Sequence, residues 1–331
     1  MDIFAAPAKL QKLTIEITTL CNLKCAGCPR TMGINHGTWV DQHMDLGLFR
    51  RILDGWPVTG FVTLHGIGEP TLHPQFVELV AMARQSGKFQ RMKVTSNGIT
   101  RSPDYYAEAV RAGLDEFWIS VDSFDPAIAE RMRSGTKVEK LKANIAACLE
   151  RKLPLHISMV VSAVNYRDIP ETLRQLRELG APPVHMQEFQ DYGEPYGLMS
   201  TEQREEFIRL VQAAAPSFKG LPVLLPNFTR PKGHICSAPW FRPAITVQGY
   251  LTPCCTTFDP AQFGYTNVGE MSFAEAWQQP GLRNWIREFV QDRTPICTGC
   301  PLNPRAFGND EMLGRSGKSG AELHHVEATA V

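Results

Sequence analysis

The sequence predicts an α/β protein, an open partial (β/α)6 barrel followed by a small cysteine-bearing domain. Three observations carry that expectation. Six short apolar runs alternate with segments of helical period between Lys12 and Phe189. The rhythm stops after Asp191. The cysteines also gather in two groups, one directly behind the first strand and one near the C-terminus.

In chain order, Leu13, Ile15 and Ile17 alternate with Thr14 and Glu16 in the first strand. Phe61 to Leu64, Met92 to Thr95, Phe117 to Val121, Leu155 to Val161 and Val184 to Phe189 supply five more. Between them Leu46 to Trp56, Pro74 to Ser86, Tyr105 to Ala112, Val138 to Lys152 and Ile169 to Leu179 place apolar residues at helical spacing, most of them closed by Gly or Pro. Such alternation builds a parallel sheet with right-handed crossovers. Six units are too few for a closed eight-fold barrel, so the sheet should stay open with its site at the C-terminal strand ends. Residues 1–192 form this first domain. Residues 193–233, with one helix at Glu202 to Ala214 amid Pro- and Gly-rich chain, read as a connector. Residues 234–304 hold five of the nine cysteines, and the Gly-, Ser- and charge-rich tail 305–331 is expected to be disordered.

Composition narrows the partners. Among 331 residues, Lys+Arg and Asp+Glu each number 34, so no summed field favours nucleic acid or an anionic membrane. No run reaches the length needed to span a bilayer and no signal peptide opens the chain, which is therefore read as cytoplasmic. In a reducing compartment, nine cysteines are better explained by metal ligation or catalysis than by disulfides.

Cys21, Cys25 and Cys28 stand in CNLKCAGC, on one compact loop behind the first strand. Three thiolates there cap three irons of a cubane cluster and leave the fourth iron open for a substrate or cosubstrate. Structural zinc is the alternative, but it wants four ligands, and no fourth Cys or His completes this loop.

CxxxCxxC behind the first strand of a partial barrel resembles the radical S-adenosylmethionine (SAM) superfamily, over about Lys12 to Phe189. The resemblance implies a [4Fe-4S] cluster whose open iron chelates SAM, and cleavage of SAM to methionine and a 5'-deoxyadenosyl radical by an electron from the cluster. Gly68, Glu69 and Pro70 are similar to the family's GGE segment, which implies that Glu69 accepts a hydrogen bond from the SAM amino group. Ser96 and Asn97, then Ser120 and Asp122, end the third and fourth strands, where look-alikes contact SAM, the fourth strand at the ribose. Arg133 resembles the cation near the SAM carboxylate. Strand-end Asn97 and Asp122 also suit the capping of following helices. Two positions depart from the pattern. Gly27 replaces the usual aromatic before the last cysteine, and Ile67 replaces the first glycine of GGE.

Cys236, Cys254 and the CxxC of Cys297 and Cys300 supply four thiolates, enough to saturate a second [4Fe-4S] cluster that would carry electrons. Zinc rivals that reading on spacing alone. The run from CSAPWFRPAITVQGYLTPCC to CTGC resembles the SPASM and shorter twitch extensions of radical SAM enzymes, and the lack of cysteines after Cys300 favours the single-cluster twitch form. Cys148 reads as a small buried apolar residue. Cys255 is either incidental or a hydrogen-atom donor to a substrate radical. His65, Gln187 and Glu188 near strand ends, with Tyr192, Glu194 and Arg242, are candidate substrate contacts, Glu188 or Glu194 being a possible base.

The first expectation for function is dehydrogenation of a carbinol on an amino sugar or aminocyclitol, with the second cluster as electron acceptor. Epimerisation through Cys255, modification of a ribosomally made peptide, and a non-enzymatic zinc scaffold are the alternatives. The resemblance also implies an electron donor such as flavodoxin or ferredoxin.

Overall fold

Alternate residues of each barrel strand face opposite layers, and this decides the architecture. The computed structural model describes residues 4, 7, 10–192, 197–226, 228, 236–255, 266–291, 293, 294 and 297. Strands β1 (Leu10–Ile15), β3 (Thr59–Thr63), β4 (Phe89–Ser96), β5 (Glu116–Ser120), β7 (Leu155–Val161) and β8 (Val184–Glu188) pair in parallel in that order. Leu13, Val62, Met92, Phe117, Ile157 and Val184 point to one face and are fully buried. That face is covered by α2 (Leu46–Gly55), α3 (Phe76–Gln85), α4 (Pro103–Arg111), α6 (Val138–Glu150) and α7 (Ile169–Glu178), whose apolar stripes include Phe49, Phe76, Tyr106, Ile145 and Leu173. Burying one such side chain from water contributes about 1.5–3 kcal/mol, so two apolar layers facing each other fix the sheet's register. Cys148 is buried within α6.

The other face is concave and polar, because the opposite strand positions carry Lys12, Thr14 and Glu16, Thr63, Lys93 and Thr95, Trp118 and Ser120, His156, and His185.

Short elements missing from the sequence expectation frame the mouth of the barrel. Helix α1 (Pro29–Asn35) begins at the last cysteine of the first set, and β2 (Lys24–Cys25) pairs antiparallel with β6 (Arg133–Ser134). Helix α5 (Pro126–Met132) is capped by Asp125, whose side chain accepts from Ala127 and Ile128.

Beyond the barrel, α8 (Thr201–Ala214) starts in a capping box built by Ser200 and Gln203. Strand β9 (Val223–Leu224), inside the segment expected as a connector, pairs in parallel with β8. Helix α9 (Ala238–Phe241) leads to β10 (Ala244–Ile245), which pairs in parallel with β1 and turns at Gly249 (φ +90°) into β11 (Tyr250–Thr252). Strand β12 (Thr266–Asn267) completes the sheet, so the barrel sheet runs on without a break into the cysteine-rich unit. Helices α10 (Phe273–Gln278) and α11 (Pro280–Val290) follow, and Phe273 packs on Trp56, the C-cap of α2, with ring centroids 4.6 Å apart. No helix among the described residues is long and apolar enough to cross a membrane. Glu194, Cys300 and the tail expected to be disordered lie outside the described residues.

Candidate active site

At the C-terminal ends of the strands a cavity of about 800 Å³ is lined by Cys21, Cys25 and Cys28 together with Gly68, Glu69, Ser96, Asn97, Ser120, Asp122 and Arg133. Every cluster and SAM candidate named for this end of the barrel therefore faces one space.

The cysteine loop is held from several sides. Gly68 packs so closely beneath it that a Cβ there would lie 2.4 Å from the Thr18 carbonyl oxygen and 2.7 Å from that of Leu20. Its neighbour Glu69 donates its backbone N–H to the Leu20 carbonyl at 2.7 Å. Arg30, buried behind Cys28, donates to the Thr19 carbonyl at 3.0 Å and pairs with Asp41 at 2.9 Å. Across the β2–β6 pair, Cys25 stands opposite Arg133. Gly27 has φ +69°, a left-handed conformation that an aromatic residue would adopt only under strain, which gives the departure from the family pattern a backbone reason.

The donor set fits a cluster. Burial pushes the Cys25 thiol up to about 12, opposed by Arg133, and burial also raises Cys21. Such thiols become ligands when a cationic metal centre favours their ionised form. Among the described residues, no group of three His, Cys, Asp or Glu side chains is placed to hold a single metal ion.

Glu69 is buried, and its Oε1 accepts from Thr71 N (3.2 Å), Thr71 Oγ1 (2.6 Å) and Ser96 Oγ (2.9 Å). Oε2 accepts from the Asn97 N–H at 2.7 Å. Burial raises this carboxyl, and the four donors oppose that rise. A carboxylate has about four acceptor positions over its two oxygens. Oε1 is crowded, whereas Oε2 keeps capacity toward the cavity. Asn97 spends its amide on Asn22 of the cysteine loop, at 2.8 Å, and accepts from Ile99 N, so it ties strand end to loop as a local cap does. Asp122 accepts from Val160 N at 2.8 Å and forms a close ion pair with Arg133.

The substrate-contact candidates divide. His65, Gln187, Glu188 and Tyr192 line the cavity, whereas Arg242 is exposed and is not among its lining residues. Glu188 is held by Arg204 at 2.7 Å, so its carboxylate already has a protein partner at the cavity wall. In the C-terminal unit Cys236, Cys254, Cys255 and Cys297 are all partly buried. Cys255 lies within electrostatic reach of Lys93 on the barrel's concave face.

Sequence reasoning missed Glu16. It is buried at the end of β1 and accepts from Ile67 N at 3.0 Å and Val247 N at 3.3 Å, joining the barrel mouth to the C-terminal unit. Desolvation raises it to about 7. A lone acid ending an alternating strand was the available signal.

Comparison with known proteins agrees with this geometry. Residues 15–176 match the model of the radical SAM superfamily, and residues 236–301 match SPASM, an iron-sulfur cluster-binding domain. The chain carries a radical SAM domain followed by a SPASM domain. Its cofactors are accordingly SAM and [4Fe-4S] clusters, in the fold expected from the sequence. The PqqA peptide cyclase of Gluconobacter oxydans is 28% identical over 91% of this chain and 86% of its own length. The cofactor-modifying protein for tungsten-containing aldehyde ferredoxin oxidoreductase of Pyrococcus furiosus is 26% identical over 88% of each chain. Among solved structures, SuiB of Streptococcus suis bound to SAM superposes with a TM-score of 0.66 at 14% identity, covering 89% of this chain and 71% of that one. SuiB has also been crystallised with its precursor peptide SuiA.

Proposed function

We propose that this radical SAM enzyme modifies a ribosomally made peptide. The observation that carries the reading is the likeness to the PqqA peptide cyclase across nearly the whole of both chains. It displaces the expected carbinol dehydrogenation of an amino sugar or aminocyclitol, and the epimerisation, because the full-length relatives are named for peptide cyclisation and cofactor modification.

When bound, the cluster on Cys21, Cys25 and Cys28 supplies the electron that cleaves SAM and so yields the hydrogen-abstracting radical. The chain's residues bind and orient. Glu69 Oε2, which accepts from Asn97 N, would hold the SAM amino group through a charge-assisted bond. Arg133, fixed by Asp122, holds its guanidinium at the cavity wall for the SAM carboxylate. Ser120 and Asn97 complete the wall at the strand ends, Gly68 allowing the loop to sit down on them. Cys236, Cys254, Cys297 and Cys300 hold the second cluster in the twitch manner. Cys255, next to the ligand Cys254, is the thiol that would serve if a substrate radical needs a hydrogen donor.

Anaerobically reconstituted protein, SAM, dithionite and peptides from short reading frames beside its gene make the test. A peptide that loses hydrogen by mass spectrometry while 5'-deoxyadenosine accumulates is the expected result. Turnover stimulated by aminocyclitols and by no peptide would overturn it.

A further inference from the structure

The concave face of the barrel carries charge that none of the residues assigned above uses. Lys93 lies on β4 two positions before Thr95, which lines the cavity. Its ammonium sits over the Trp118 ring, 4.0 Å from the centroid, and 5.5 Å from that of Phe61. Trp118 in turn packs on His185, another cavity-lining residue, with centroids 4.5 Å apart. The patch adjoins the cavity through Thr95 and His185, while Lys93 and Trp118 themselves lie outside its lining.

Its electrostatics are unbalanced. Lys12 is close enough for its charge to push Lys93 down, after burial, to about 8. Glu116, the strand neighbour of Lys93, is already engaged by Arg91 at 2.7 Å, by the Trp118 N–H at 2.7 Å and by His156 at 3.6 Å. Among the described residues neither lysine has a carboxylate within ion-pair distance. Three buried polar atoms on the same face also lack any hydrogen-bond partner: Thr63 Oγ1, His65 Nδ1 and His156 Nδ1. Thr63 is fully buried and pairs in register with Lys93. A buried polar group without a partner is costly, so this face is short of polar partners beside its two cations.

We propose that Lys93, backed by Lys12 and seated on Trp118, anchors a carboxylate of the substrate, so that the peptide presents an acidic side chain to the barrel floor. The aromatic bed holds the ammonium without neutralising it, and the acid supplies the counter-ion that the floor lacks. The proposal rests on the peptide reading for the source of the carboxylate and on the barrel floor alone for its recognition.

Equilibrium dialysis of the cluster-reconstituted full chain with SAM tests it, using N-acetyl-Ala-Glu-Ala-amide, its Gln counterpart and glutarate as labelled probes. The Glu tripeptide is expected to bind about tenfold more tightly than the Gln one, as one partly desolvated charge pair allows. Lys93→Gln should abolish that preference and Lys93→Arg retain it. Circular dichroism and iron content check that each variant folds. Should Lys93→Gln fail them, Lys12→Gln takes its place and should weaken the preference several-fold. Equal binding of the two tripeptides, or binding of none of the three probes, overturns the anchor and leaves the peptide reading to its own mass-shift assay. Lys93-dependent binding of glutarate without binding of either tripeptide keeps the anchor and overturns its peptide source.

Discussion

Glu69 and Glu16 show how two buried acids are put to different uses. Four protein donors hold the Glu69 carboxylate in place with one oxygen left partly free. Glu69→Gln replaces one acceptor oxygen by a donor, and it should lower 5'-deoxyadenosine formation about tenfold or more, since bonds to charged groups contribute about 1.5–3 kcal/mol. Unchanged SAM cleavage would remove Glu69 from the cosubstrate site. Glu16 is raised from 4.5 to about 7 by desolvation. Below pH 4.5 it is protonated in both folded and unfolded chains. Between 4.5 and 7 the folded chain binds the extra proton, so stability falls as pH rises through that window, by about 3 kcal/mol in all. Glu16→Gln has no such titration, and denaturant melts at pH 5 and pH 8 should show the wild type losing stability relative to the variant. Parallel pH dependence of the two would contradict the assignment.

Strands and helices explain what was legible from the sequence and what was not. The six parallel strands and five covering helices were readable because each carries apolar residues in a run or at helical spacing, most regularly in Leu155–Val161 with its buried alternate residues. The pair β2–β6 escaped, since two residues carry no period and the pairing is set by the barrel mouth rather than by local sequence. Helix α5 had a legible start in Asp125 and Pro126 that was not used. The cysteines and Glu69 were legible as motif, whereas Lys93, Trp118 and His156 become a group only when neighbouring strands bring them together. Gly68→Ala tests the element-level account of the loop. Its Cβ would meet backbone, which cannot rotate away, so the loop must lift and the first cysteine set should lose its cluster. Iron per chain should fall by about four while the second cluster stays. Full iron loading would show that the loop tolerates the methyl.

For the whole molecule, the continuous sheet from β12 through β1 to β9 places the cysteine-rich unit against the barrel edge and brings Cys255 toward the concave face. Two domains sharing one sheet should hold about eight irons per anaerobic chain, and about four after Cys21, Cys25 and Cys28 are all changed to Ala. Radical abstraction from a peptide is the claim on which the rest depends, and label transfer reads it without knowledge of the product. A stimulating peptide, prepared with carbon-bound deuterium and incubated with SAM and reductant, should pass deuterium into 5'-deoxyadenosine. Deuterium-free 5'-deoxyadenosine from every peptide, with label arriving instead from a deuterated aminocyclitol, would contradict it.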